Sequence, residues 1–151
     1  MSDQIIVMPG ANRLDLGPLV KVAQEFGWTV GTTSDPRSVA ALIPGRKPLA
    51  VLFQRDALGP NCSWAEAVRR LSGIAPGVRL IVCHSFGDSV NWSDIHSAGA
   101  FHALPVPFRE SEVRQSLGFI LDAEKRLADA SDTLLRRASS GLSVVARRAA
   151  S

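Results

Sequence analysis

Two cysteines in 151 residues are too few for a disulfide framework. Cys83 closes an apolar run and reads as a small core residue, whereas Cys62 lies in a loop-like stretch and is expected to be an exposed thiol. Long apolar runs are missing as well. Leu49 to Phe53 is five residues, where a membrane span needs about 18. The first residues, Met1-Ser-Asp-Gln, carry an acid where a secretory signal needs bases. These absences predict a soluble, cytoplasmic protein with no membrane contact. No glycine-rich phosphate loop is present, since Met8-Pro-Gly-Ala lacks the spaced glycines of a dinucleotide or Walker site. His84, His96 and His102 lack metal-ligand spacing. No cofactor and no metal are therefore expected. Acid is absent from Thr133 to Ser151, which holds Arg136, Arg137, Arg147 and Arg148. That segment carries +4 of the chain's net +3, which leaves −1 for residues 1–132. The body is thus no nucleic-acid-binding surface, and any such contact is confined to the basic tail.

What remains is an ordinary globular composition, 46% hydrophobic and 21% charged. A chain of this length buries roughly 68–70% of its unfolded surface and needs no staples. Five short apolar runs alternate with helix-like stretches. Ile5-Ile-Val-Met8 is followed by Leu16, Leu19, Val20, Ala23 and Phe26 at helical spacing, stopped by Gly27. Trp28-Thr-Val30 is the second run, and Asp35-Pro36 then caps and opens a short helix that ends at Pro44-Gly45. Leu49–Phe53 is apolar at every position, as a central strand covered on both faces should be. Ser63 caps a helix carrying Ala67, Val68, Leu71 and Ile74, closed by Pro76-Gly77. Leu80-Ile-Val-Cys83 is the fourth strand, Trp92 to Ala98 a short helix stopped by Gly99, and Phe101 to Leu104 the fifth strand. Such alternation predicts an α/β fold with a parallel sheet and helices on both faces.

In such a sheet, chemistry sits beyond the carboxyl ends of the strands. Pro9 and Gly10, then Gln54, Arg55 and Asp56, then His84 and Ser85, then Pro105, Val106 and Pro107 follow the first, third, fourth and fifth strands. Gly99-Ala-Phe-His-Ala-Leu-Pro-Val-Pro-Phe108 resembles the end of a response-regulator receiver domain, and Val78-Arg-Leu-Ile-Val-Cys-His-Ser85 resembles that family's fourth strand. The resemblance covers about residues 4 to 125. It implies a doubly wound five-stranded parallel sheet of order 2-1-3-4-5. It places Val106 on the family's lysine and Ala103 on its aromatic switch residue. Family spacing puts His84 on the switch hydroxyl, Gln54 on the phospho-accepting aspartate, and Pro9 and Gly10 on the acidic pair.

None of those chemical positions keeps its family residue type. Pro9 and Gly10 bring no side-chain oxygen to a magnesium ion, which demands hard oxygen ligands. Gln54 is neutral, Val106 carries no charge and His84 is no hydroxyl. The resemblance therefore implies a degenerate receiver that signals through protein–protein contact and is not an enzyme. Asp56, two residues past Gln54, is a displaced phospho-acceptor in a second reading, against its plainer role as a turn or helix-start acid. A third reading is a flavodoxin-like ligand-binding domain or enzyme with a site near His84 and Gln54. Cys83-His84-Ser85 sets three catalytic residue types side by side. Strand neighbours point to opposite faces, however, so adjacency makes no nucleophile–base pair. Trp28, Trp64 and Trp92 lie on different elements and read as packing rather than as a stacking platform.

The last helix is long for a receiver. Starting after Phe108, it has no stop before Ser139-Ser140-Gly141, so Glu110 to Ala138 spans about 44 Å at the helical rise. Val113, Leu117, Ile120 and Leu121 are expected to pack on the sheet. Leu127, Leu134 and Leu135 continue a thin stripe that Glu124 and Ser131 interrupt. The stripe predicts a homodimer or a protein partner. The expected domains are a receiver-like body over 1–125 and a helical extension with a mobile basic tail over 126–151.

Overall fold

The computed structural model describes residues 3–10, 13–42, 45, 47–59, 61–85 and 90–150, with side chains through 137. The elements in chain order are β1 (Gln4–Met8), α1 (Gly17–Glu25), β2 (Thr29–Thr32), α2 (Pro36–Leu42), β3 (Ala50–Phe53), a 3-10 turn (Arg55–Leu58), α3 (Trp64–Ile74), β4 (Arg79–His84), α4 (Trp92–Ala98), β5 (His102–Pro105) and α5 (Glu110–Ala150). All strand pairs are parallel and the order is β2-β1-β3-β4-β5. Each element predicted from apolar spacing is present. β2 starts one residue later than Trp28, because the indole is buried and stacks on Phe26, with ring centroids 4.9 Å apart.

Local signals act as their chemistry requires. Ser63 Oγ accepts from Glu66 N at 3.2 Å and Asn91 Oδ1 accepts from Asp94 N at 3.3 Å, capping α3 and α4. Asp35 Oδ1 accepts from Arg37 N at 3.0 Å at the start of α2. Gly99 ends α4 with φ of +117°, a conformation that would strain a side chain.

Strand alternation divides the core. Ile6, Met8, Val51, Phe53, Leu80 and Val82 face α2, α3 and α4 through Val39, Trp64, Ala67, Val68, Leu71 and Ile95. Ile5, Val7, Leu52, Ile81 and Cys83 turn to the other face and are also buried. Leu19, Val22 and Ala23 of α1 are buried, as are Val113 and Leu117 at the start of α5. Side chains of this size contribute roughly 1.5–3 kcal/mol each when fully buried. Two exposed ion pairs link α1 to the first turns of α5: Lys21 Nζ to Glu110 Oε1 at 2.9 Å, and a bidentate pair from Arg114 to Glu25 at 2.8 and 3.0 Å. The Arg114 guanidinium holds the Glu25 carboxyl below its ordinary range.

Two expectations are corrected. Cys62 is buried, not exposed, because its short loop folds under α3 into the apolar cluster. Ser139-Ser140-Gly141 does not stop α5, which continues to Ala150. Serine and glycine only weaken a helix, and neither forces an exit as a proline would. The expected mobile tail past Ser140 falls where side chains lie outside the described residues. The chain forms two compact units, Met1–Leu117 and Gly118–Ser151, divided inside α5. Among the described residues no helix is long and apolar enough to cross a membrane.

Ser116 is 1% exposed, and its hydroxyl has no hydrogen-bond partner among the described residues. A buried, unsatisfied hydroxyl costs about 1–3 kcal/mol. Ser116→Ala should therefore stabilise the protein by about 1 kcal/mol. The measurement is a higher urea midpoint at unchanged slope.

Candidate functional site

The parallel register brings the ends of β1, β3, β4 and β5 to one edge of the sheet. Met8 lies beside Phe53 and Phe53 beside Val82, while His84 lies beside Pro105. The sheet pattern persists past the strands. Gln54 N donates to Met8 O at 3.2 Å, and Val106 N donates to His84 O at 2.7 Å. The next residues therefore have nowhere to go but over the edge, where they wall a crevice of about 320 Å³.

Gln54 is the first polar residue after the wholly buried β3 and is half-buried itself. Its Oε1 accepts from Gly10 N at 2.8 Å. The side chain at the end of the central strand is thus tied to the loop leaving β1. Asp56 follows in the first turn of the 3-10 segment, where a helix-start acid was one of its readings. It also reaches into the crevice. A Cβ built on Gly10 would overlap the Asp56 carboxylate, with Cγ 2.5 Å and Oδ2 2.9 Å away. Asp56 accordingly occupies the space into which a side chain at position 10 would project.

Val106 lines the crevice from beyond β5, followed by Pro107 across a cis peptide bond. Ala103 sits one strand residue from Leu104, packed against the α2–α4 side of the core. Pro9 directly follows Met8 and is half-buried. From β4 the crevice is lined by Cys83 and Ser85, while His84 between them is not among the lining residues. Period-two alternation explains this, since residues 83 and 85 share a face and 84 takes the other. The hydroxyl reaching the crevice is therefore that of Ser85, one residue past the position given by family spacing. His84 and Gln54 do not share the crevice wall. Cys83 is fully buried, and desolvation raises its thiol far above the ordinary range, so it is inert as a nucleophile. His102 lies at the opposite end of β5 from Pro105, as the parallel pairing requires, and partial burial lowers its pKa.

Two rim residues had no sequence signal. Arg13 lies in the loop after β1, and Arg55 opens the 3-10 turn after β3. Both line the crevice, as do Asp15 and Trp64. The Asp15 carboxylate is turned to Gly17 N at 3.0 Å, at the start of α1. Among the described residues no group of three or more His, Cys, Asp or Glu side chains is placed to hold a metal.

No protein-family model matches the chain, and no curated protein sequence does. Solved structures do match in fold. NtrX from Brucella abortus, in complex with ADP, superposes with a TM-score of 0.65 at 20% identity. The match covers 87% of this chain and 29% of that one. This chain therefore spans under a third of NtrX. A response-regulator receiver domain protein from Clostridium thermocellum gives 0.62 at 19% identity, covering 83% and 98%. The receiver domain of a Pseudomonas aeruginosa sensor histidine kinase gives 0.56 at 16%, covering 78% and 95%. That structure holds a magnesium ion in its active-site cleft. The fold is thus the doubly wound sheet of receiver domains. Pro9 and Gly10 offer no side-chain oxygen, the Gln54 oxygen is engaged by Gly10 N–H, and Asp56 is the one carboxylate against Gly10.

Gly10 and Asp56 should behave as a coupled pair. Gly10→Ala must drive the Asp56 carboxylate into another rotamer, costing about 0.5–1.5 kcal/mol. In an Asp56→Ala background the same change should be nearly neutral. A double-mutant cycle in urea reads the coupling directly.

Proposed function

We propose that this chain is a receiver-like signalling module of the two-component type that has lost phosphoryl transfer and acts in the cytoplasm through protein–protein contacts. The observation that carries this is the hydrogen bond from Gly10 N–H to Gln54 Oε1. At the position the resemblance gives to the phospho-accepting aspartate stands a neutral amide, already committed to the backbone of the β1 loop. An amide oxygen so held is neither a nucleophile toward phosphorus nor a ligand to spare. Val106 adds no positive charge to balance a phosphoryl group, so stabilisation of that charge is missing as a set. On this reading the protein is not an enzyme and needs no cofactor. Its receiver-like body takes in residues 1–125, and residues 126–151 are a helical extension.

One observation favours a second reading. The Asp56 carboxylate lies against Gly10 inside the crevice, so a displaced acceptor is sterically available. Intact-mass measurement after acetyl phosphate with magnesium separates the two. No added phosphoryl group is expected, and millimolar magnesium should give no saturable rise in Tm relative to sodium at matched ionic strength. An adduct that vanishes in Asp56→Asn would establish the second reading instead.

The partner surface on this reading is the stripe of α5. Leu127, Leu134 and Leu135 are 57%, 65% and 68% exposed. Leu127 and Leu134 continue the seven-residue spacing of Val113 and Ile120. Leaving each leucine in water forgoes roughly 1.5–3 kcal/mol. A second copy of the same helix is the simplest cover, and two-fold dimers are the commonest oligomers. Glu124 and Ser131 in the seam set a moderate affinity. Sedimentation at tens of micromolar, about 7 kcal/mol of association, should give a dimer for the full chain and a monomer for a chain ending at Lys125. Monomers in both cases would make the stripe a seat for a different protein.

A further inference from the structure

The last helix repeats a charge pattern that the signalling reading leaves unused. Lys125-Arg126, Arg136-Arg137 and Arg147-Arg148 are three basic pairs, each 11 residues after the one before. α5 runs as one helix from Glu110 to Ala150. Eleven residues are close to three whole turns, so the pairs return to one face at intervals of about 16.5 Å. At about 100° per residue, the centre of each pair lies more than about 120° round the helix from the centre of the stripe of Leu127, Leu134 and Leu135. The acids fall away along the same length. Residues 118–132 hold Asp122, Glu124, Asp129 and Asp132 against two bases, whereas 133–151 hold four arginines and no acid. The one printed contact across that boundary joins Arg136 Nη2 to Asp132 Oδ2 at 3.1 Å, between exposed side chains. Water and salt weaken such a pair. The net charge of the helix therefore turns positive beyond Asp132.

From this we infer that the basic face at the end of α5 is a docking surface for the phosphate backbone of a nucleic-acid duplex, held without regard to base sequence. Arginine supplies five of the six basic positions, and its planar guanidinium suits phosphate oxygens better than a lysine ammonium does. An evenly spaced row of charge on a straight helix matches a ligand that is itself a rod of even charge, about one negative charge per 1.7 Å of duplex. Aromatic residues end at Phe119. The extension thus lacks the rings on which single strands stack and the Trp or Phe of a helix that lies in a lipid interface. It also has no Asn or Gln after Gln115 to read adenine edges. The leucine stripe lies on another face and stays available to a second copy. The inference goes beyond the signalling reading, and it holds whether or not the crevice accepts a phosphoryl group or the stripe pairs.

The experiment follows fluorescence anisotropy of a labelled DNA duplex of about 24 base pairs, titrated with the full chain at about 50 to 200 mM NaCl. The wild-type protein should bind, with log affinity falling linearly in log salt at a slope of about −3.6 per bound chain for four arginine contacts. Replacing Arg147 and Arg148 together by alanine, the best helix former, should weaken binding at least about tenfold at 50 mM salt and make the slope shallower by about 2. Lysine at both positions should restore most of the slope. Replacing Arg69 and Arg70 on α3 by alanine should leave it unchanged. AT-rich and GC-rich duplexes should bind alike. Failure of the wild-type chain to bind at 50 mM salt would overturn the inference. So would a slope indifferent to Arg147 and Arg148. Single-stranded DNA, phosphatidylserine vesicles or polyglutamate competing as well as the duplex at equal charge would overturn it too, and would make the face a seat for that polyanion instead. Sedimentation and acetyl phosphate labelling read the signalling proposal separately, so either can fail without the other.

Discussion

The burial of β3 is the constraint from which the rest follows. All four of its residues are sealed between two helical layers, so no polar atom fits along the strand. Polarity must wait for the strand's end, and it arrives at once with Gln54, Arg55 and Asp56. Because β1 and β4 flank β3 in parallel, their ends arrive at the same edge. The crevice is therefore a product of strand direction and core composition. It would exist whatever residues happened to fill it.

What fills it decides the chemistry. A hydrogen bond from Gly10 N–H to the Gln54 amide joins two loops with a neutral group. The carboxylate against Gly10 comes from the loop after β3 rather than from the loop after β1. An acid is thus present, but it hangs from a different segment of backbone, and the other carboxylate lining the crevice, Asp15, accepts from Gly17 N. Metal chemistry depends on several oxygens converging, and among the described residues no group of three or more His, Cys, Asp or Glu side chains does so.

Strand number and direction were readable because the apolar runs are short, dense and separated by helix punctuation such as Ser63, Gly27 and Gly99, whereas the order came only with the receiver resemblance. The placement of Gln54, Asp56 and Val106 at the strand ends was readable for the same reason. Which of His84 and Ser85 lines the crevice was not legible, since side-chain facing inverts with a shift of one residue. Arg13 lay in a loop with no periodicity to orient it. The burial of Cys62 was not legible because loop composition says nothing of whether the loop folds inward. The end of α5 was misplaced because Ser-Ser-Gly lowers helical propensity without forbidding a helix.

The contact between Gly10 and Asp56 also constrains the order in which this site can change. An acid at position 10 meets the carboxylate already stored there, so that substitution is penalised while Asp56 remains. Replacing Asp56 first clears the space, after which a side chain at position 10 becomes admissible. The two changes are therefore not exchangeable in time, and the easier route begins at residue 56. A single glycine in this way makes the order of change matter: a side chain at position 10 is accommodated more easily once Asp56 has been replaced.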